Sequence, residues 1–82
     1  MKTGFIGIII EKDRSVAETV NKLLSEYGDH ICGRMGLPDK ERGVYVISVI
    51  IRADNEVISA LTGKLGRLNN VKVRSAVTDC DM

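Results

Sequence analysis

The 82-residue sequence has no tryptophan, and Phe5, Tyr27 and Tyr45 are its only Phe, Tyr or Trp residues. Aliphatic side chains must therefore build the core, and no tryptophan is available for stacking. Cys32 and Cys80 are the only cysteines, too few and too irregularly placed for a disulfide framework or a zinc motif. Reduced thiols are the expectation. Neither sign of charge dominates: 12 Lys+Arg stand against 11 Asp+Glu, a formal net charge of +1, which supplies no strong field for a phosphate backbone. Direct nucleic-acid binding by this chain is accordingly not expected. Long apolar runs are also missing, since Phe5 to Ile10 is too short a stretch for a signal-peptide core or a membrane span. A cytoplasmic protein without a membrane partner is expected.

Hydrophobic residues make up 44% of the sequence and charged residues 28%, the composition of a globular protein. There is no internal linker, low-complexity tract or short-period repeat, so residues 1–82 form one domain. A chain this short removes only about 60 to 65% of its unfolded surface on folding alone, so its stability as a monomer is marginal.

Gly4 to Ile10 is β-branched and nearly all apolar until the charged cluster Glu11-Lys12-Asp13-Arg14, which predicts a buried first strand. Ser15 and Glu18 then have capping-box spacing, and Val16, Val20, Leu23, Leu24 and Tyr27 line one side of a helix ending at Gly28. His30 to Met35 alternates as a half-buried edge strand, and Gly36 to Gly43 has the composition of a solvated connector. Val44 to Ile51 is the strongest strand, apolar on both faces. Asp54 or Asn55 can cap a second helix that turns Val57 or Ile58, Leu61, Leu65 and Leu68 inward. Asn69-Asn70 predicts a turn, and Val71 to Thr78 alternates as a last strand, with no structural signal in Asp79-Cys80-Asp81-Met82.

Strand-helix-strand occurs twice, which is the split arrangement of the ferredoxin-like α+β fold: βαββαβ, a four-stranded antiparallel sheet with two helices on one face. The first and third strands occupy its centre, and here both are apolar on two sides. The helices shelter only one of those sides. The other would be an apolar stripe inside a polar, basic rim, larger than a monomer usually exposes, and rimmed in this way it resembles an interface core. Each aliphatic side chain contributes roughly 1.5 to 3 kcal/mol when buried, so three or four against a second subunit outweigh the deficit of a small domain. Self-association through the open sheet face follows. The competing expectation is that the C-terminal tail or the Gly36 to Gly43 connector folds over that face.

Gly33-Arg34-Met35-Gly36 is the candidate ligand site: backbone N–H groups freed by glycine, with a guanidinium, can hold an anion. The same residues also describe a strand end that must turn, with Arg34 merely solvated. His30 and Cys32, two apart on one strand face, could gather Asp79, Cys80 and Asp81 around a metal, but there is no second His or paired Cys motif, and no metal site is expected. As a nucleophile pair they would stand about 7 Å apart with no orienting third group. No catalytic residue and no cofactor is expected, and the protein is read as a non-enzyme. Thr62-Gly63-Lys64 lacks the rest of a phosphate loop and falls inside a helix. Gly63 and Gly66 each cost about 1 kcal/mol in a helix, which close packing or termination at Gly66 would explain.

Several pieces resemble a known family: Asn21-Lys22-Leu23-Leu24 leading to Tyr27-Gly28, then Ile31-Cys32-Gly33-Arg34-Met35-Gly36-Leu37-Pro38, Gly43 and Ile47, and finally Leu61-Thr62-Gly63-Lys64-Leu65-Gly66 with Val71-Lys72-Val73. These look like the iron-only hydrogenase system regulators, and the resemblance covers nearly the whole chain. It implies a ferredoxin-like domain similar to ACT domains and to the C-terminal sensing domain of nickel-responsive repressors, which assemble through their sheets and bind effectors between subunits. The strand matching the nickel-binding one, Val44 to Ile51, has no histidine, so nickel sensing does not carry over. The first strand begins almost at Met1, where those repressors have a DNA-binding segment. The resemblance thus implies a homo-oligomeric, ligand-sensing regulator, with a small-molecule effector held near Gly33 to Gly36 and the start of the first helix, and with transcription controlled through a partner protein. The rival expectation is an accessory or scaffold protein for hydrogenase maturation.

Overall fold

A computed structural model of the chain describes residues 1–11 and 14–79. The elements run β1 (Lys2–Glu11), α1 (Arg14–Glu26), β2 (Ile31–Asp39), β3 (Val44–Ala53), α2 (Asn55–Gly66) and β4 (Val71–Asp79). The strands form one antiparallel sheet in the order β2-β3-β1-β4, the ferredoxin-like arrangement, with the two most apolar strands at its centre.

Period-two alternation decides what each strand buries. Ile6, Ile8 and Ile10 of β1 lie beside Val49, Ile47 and Tyr45 of β3, and the isoleucines and Val49 pack under the helices. Val20 and Leu24 of α1 and Ile58, Leu61 and Leu65 of α2 close that layer from the other side. The residues buried there are all hydrophobic, and among the described residues no polar side chain is buried. Gly4 belongs to the same layer: a Cβ there would stand 3.0 Å from Ile51 Cγ2 and 3.4 Å from Ile58 Cδ1, so its bare backbone admits α2 close to the sheet.

Local chemistry explains most boundaries and corrects some. Asp54 is the residue before α2, extended and making no side-chain cap bond; its carbonyl accepts the N–H groups of Val57 and Ile58 instead. Helix α2 ends at Gly66, as termination there would have it, and a Cβ on Gly63 would meet nothing within 4 Å, so close packing does not account for Gly63. Asn70 makes the expected turn with φ of 64°, a conformation that asparagine tolerates. Helix α1 begins at Arg14, which puts Ser15 within the first turn and not at the capping position expected for it.

The largest correction concerns the connector. Leu37, Pro38 and Asp39 pair with Val46, Tyr45 and Val44, so β2 runs through most of the stretch expected to be a solvated loop. Proline is tolerated because β2 is an edge strand. The remaining turn, 40–43, is tight: Gly43 has φ of 70° and its N–H donates to the Asp39 carbonyl at 2.9 Å, while the Arg42 N–H donates to Asp39 Oδ1 at 3.2 Å. This connector cannot roof the sheet. The expectations for Cys80, Asp81 and Met82 lie outside the described residues.

Candidate functional site

The sheet face away from the helices carries a defined pattern. Across the four strands, the register gives a row Gly33, Ile50, Phe5, Ala76, a row Met35, Ser48, Gly7, Arg74, and a row Leu37, Val46, Ile9, Lys72. Bulky apolar pairs in the outer rows therefore flank a shallow trough at Ser48 and Gly7. Among the described residues no helix or loop covers this face, and Phe5, Ile9, Ile50, Met35 and Leu37 stay 51%, 39%, 42%, 72% and 62% exposed. Charged groups border it on β4 and at the strand ends. Lys72 pairs with Glu11 at 3.0 Å, and Arg74 donates to its neighbour's carbonyl, that of Val73, at 2.8 Å.

A β-bulge between Ile31 and Gly33 determines which β2 residues reach this face. The extra residue, Cys32, breaks the alternation, so Ile31 points toward the helices while Met35 points toward the open side. Arg34 lies opposite Val49 on the helix side, and its Nη2 donates to Asn21 Oδ1 of α1 at 2.7 Å.

The four candidate ligand residues are consequently divided between two faces. Gly33 and Met35 border a depression of about 230 Å³ on the open face, together with Ser48, Ile50 and part of Arg34. Gly36 faces the helix side, where a Cβ would lie 2.4 Å from the Tyr45 hydroxyl. Its absence of a side chain makes room for that ring. Tyr45 in turn borders a larger concavity, about 470 Å³, between the β2–β3 turn and the start of α1. The start of the first helix thus comes near Pro38, Lys40 and Tyr45, and the Gly33 depression is a separate place.

His30 and Cys32 are not joined by regular strand geometry. The bulge falls at Cys32, and the thiol lies 4.0 Å from the His30 carbonyl, not its ring. Asp79, on the opposite edge strand, is three strand spacings away, about 14 Å, and its carboxylate is bound to Lys2. That contact holds the Asp79 carboxyl below its ordinary range. Among the described residues no three His, Cys, Asp or Glu side chains cluster. Lys64, from the Leu61 to Gly66 motif, sits 5.2 Å from the centre of the Tyr27 ring, and hydrogen bonding to Tyr27 raises its pKa. This contact ties α2 to the turn that follows α1. None of the described helices is long and apolar enough to cross a membrane.

A family model described as "TM1266-like: iron-only hydrogenase system regulator, putative" matches residues 2–75. The chain belongs to this family. The solved structure of the uncharacterized protein TM1266 from Thermotoga maritima aligns with a TM-score of 0.92 and 30% identity, covering 96% of this chain and 100% of that one. More distant structures share the fold alone. The C-terminal domain of the MgtC protein from Mycobacterium tuberculosis has a TM-score of 0.69 at 9% identity, covering 100% of this chain and 93% of that one. A formyltetrahydrofolate deformylase from Pseudomonas putida has a TM-score of 0.63 at 14% identity, covering 90% of this chain and only 28% of that enzyme. No curated protein matches the sequence. The open face, the bulge and the Gly33 to Gly36 segment all lie within the part of the chain matched by the TM1266-like model.

Proposed function

We propose that this TM1266-like protein is a regulatory, ligand-sensing domain of an iron-only hydrogenase system, working as a homo-oligomer and acting on transcription through a partner protein. It is a binding domain and not an enzyme. The observation that carries this reading is the uncovered apolar sheet face. Over the full length of the strands, four strands at about 4.8 Å each and roughly nine residues at about 3.3 Å each describe a face of about 600 Å², with the three rows as its apolar centre and the polar rim around them. Two such surfaces face to face bury about 1,200 Å², the lower bound for a specific dimer. The flanking pairs Ile50–Phe5 and Val46–Ile9 and the trough between them supply relief for two copies to interlock.

An effector fits this scheme at the Gly33 to Met35 depression, because it opens on the same face and a second subunit would form its lid. A small molecule bound there changes the dimer's stability and, through linkage, its affinity for a partner. The test combines sedimentation of the purified protein with thermal-shift screening against amino acids, nucleotides and divalent metals. A ligand at 100 times its dissociation constant adds about 2.7 kcal/mol, which raises the melting temperature of so small a domain by roughly 10 °C or more. A monomer at every concentration overturns the assembly. A flat screen overturns the sensing role and leaves the scaffold reading.

A further inference from the structure

On the helix side of the sheet, the concavity between the β2–β3 turn and α1 has the volume and lining of a second binding site. Its volume of about 470 Å³ falls within the roughly 300–1,000 Å³ typical of small-molecule pockets. Ile10, Ala17 and Pro38 supply an apolar surface, and Arg14, Lys40 and Tyr45 supply donors. Neither Arg14 nor Lys40 has an ion-pair partner among the described residues. The one acidic side chain in the lining, Asp39, is already engaged: it accepts the Arg42 N–H and lies 3.9 Å from the Arg42 guanidinium. Among the described residues the pocket therefore presents two positive charges without an ion-pair partner, and a phenol, beside hydrocarbon. Two features fix this arrangement. The missing Cβ of Gly36 lets the Tyr45 ring lie across β2, and the tight Gly43 turn holds Lys40 at the mouth.

We propose that this pocket binds a small organic anion, a carboxylate or phosphate ester with an apolar body. A cation is repelled by Arg14 and Lys40, and a bare inorganic ion leaves the Ile10, Ala17 and Pro38 surface unused. The site is independent of the open face, which lies on the other side of the sheet.

The test is a titration of the full chain followed by amide NMR shifts, using benzoate, phenyl phosphate, benzylammonium and inorganic phosphate as probes. Benzoate or phenyl phosphate gives saturable shifts at Lys40, Gly43, Val44 and Tyr45. The Arg14→Ala/Lys40→Ala variant, altered only at exposed positions, weakens that binding by about tenfold or more, the loss expected for two charge-assisted contacts. The proposal is overturned if neither organic anion saturates, if benzylammonium binds as well, if inorganic phosphate matches phenyl phosphate, or if the double variant binds like the wild type. Repeating the titration with Ile50→Glu, which disrupts the open face, keeps the result separate from the assembly: binding in this pocket survives there even if no oligomer forms.

Discussion

Replacing Ile50 by glutamate should convert an associating protein into a folded monomer. Ile50 lies on the open face beside Phe5, and the two side chains stay 42% and 51% exposed in the single chain. Fully burying such a side chain contributes about 1.5 to 3 kcal/mol, so the part still exposed is worth about 1 kcal/mol per residue when a second copy covers it. Two-fold symmetry doubles this, and Phe5→Ala alone should weaken a dimer by about 2 kcal/mol, roughly 30-fold in dissociation constant. Ile50→Glu goes further. It removes the same burial and places two carboxylates in an apolar interface, each costing several kcal/mol to desolvate without a partner. The isolated fold should tolerate the change, because the substituted side chain reaches water in the monomer. Sedimentation velocity across a wide concentration range reads the species, circular dichroism checks the fold, and Ser59→Glu on the exposed side of α2 controls for added charge. The wild type should show a concentration-dependent melting temperature and Ile50→Glu should not. The reasoning fails if the wild type sediments as a monomer throughout, or if Ile50→Glu assembles like the wild type.

Other expectations follow from single residues. Leu61 is fully buried between α2 and the sheet, so Leu61→Ala should destabilise by about 2–5 kcal/mol in urea denaturation. Gly63→Ala should stabilise by about 1 kcal/mol, since the position is helical and a methyl group there meets nothing within 4 Å. Gly36→Ala should push the Tyr45 ring from its place, seen as a shift of its ring resonances and reduced anion binding with little change at Phe5 or Ile50. Asp79 should titrate below an ordinary aspartate in the folded protein, and Lys2→Ala should return it toward that value. Because the folded pKa is the lower one, the pair's contribution is present above the unfolded value and is lost as pH falls through the folded one.

How much of this was legible in the sequence depends on whether the signal was local. Phe5 to Ile10 and Val44 to Ile51 are apolar at every second position twice over, and that alone places them at the sheet centre with a side left uncovered. The leucines of α2 and the valines of β4 likewise carry their periodicity in the chain itself. β2 was different. Its inward and outward residues depend on one extra residue at Cys32, and a bulge leaves no trace in alternation until a partner strand fixes the register. That single insertion sends Arg34 to Asn21 and Met35 to the open face. The same cross-strand pairing drew Leu37, Pro38 and Asp39 out of an apparent loop. Composition and period thus determined the fold class, the core and the existence of an unsheltered face, because each is a sum over nearby side chains. Only the tertiary structure decided that Arg14, Lys40 and Tyr45 share one pocket, because they come from three elements whose meeting depends on strand order and register.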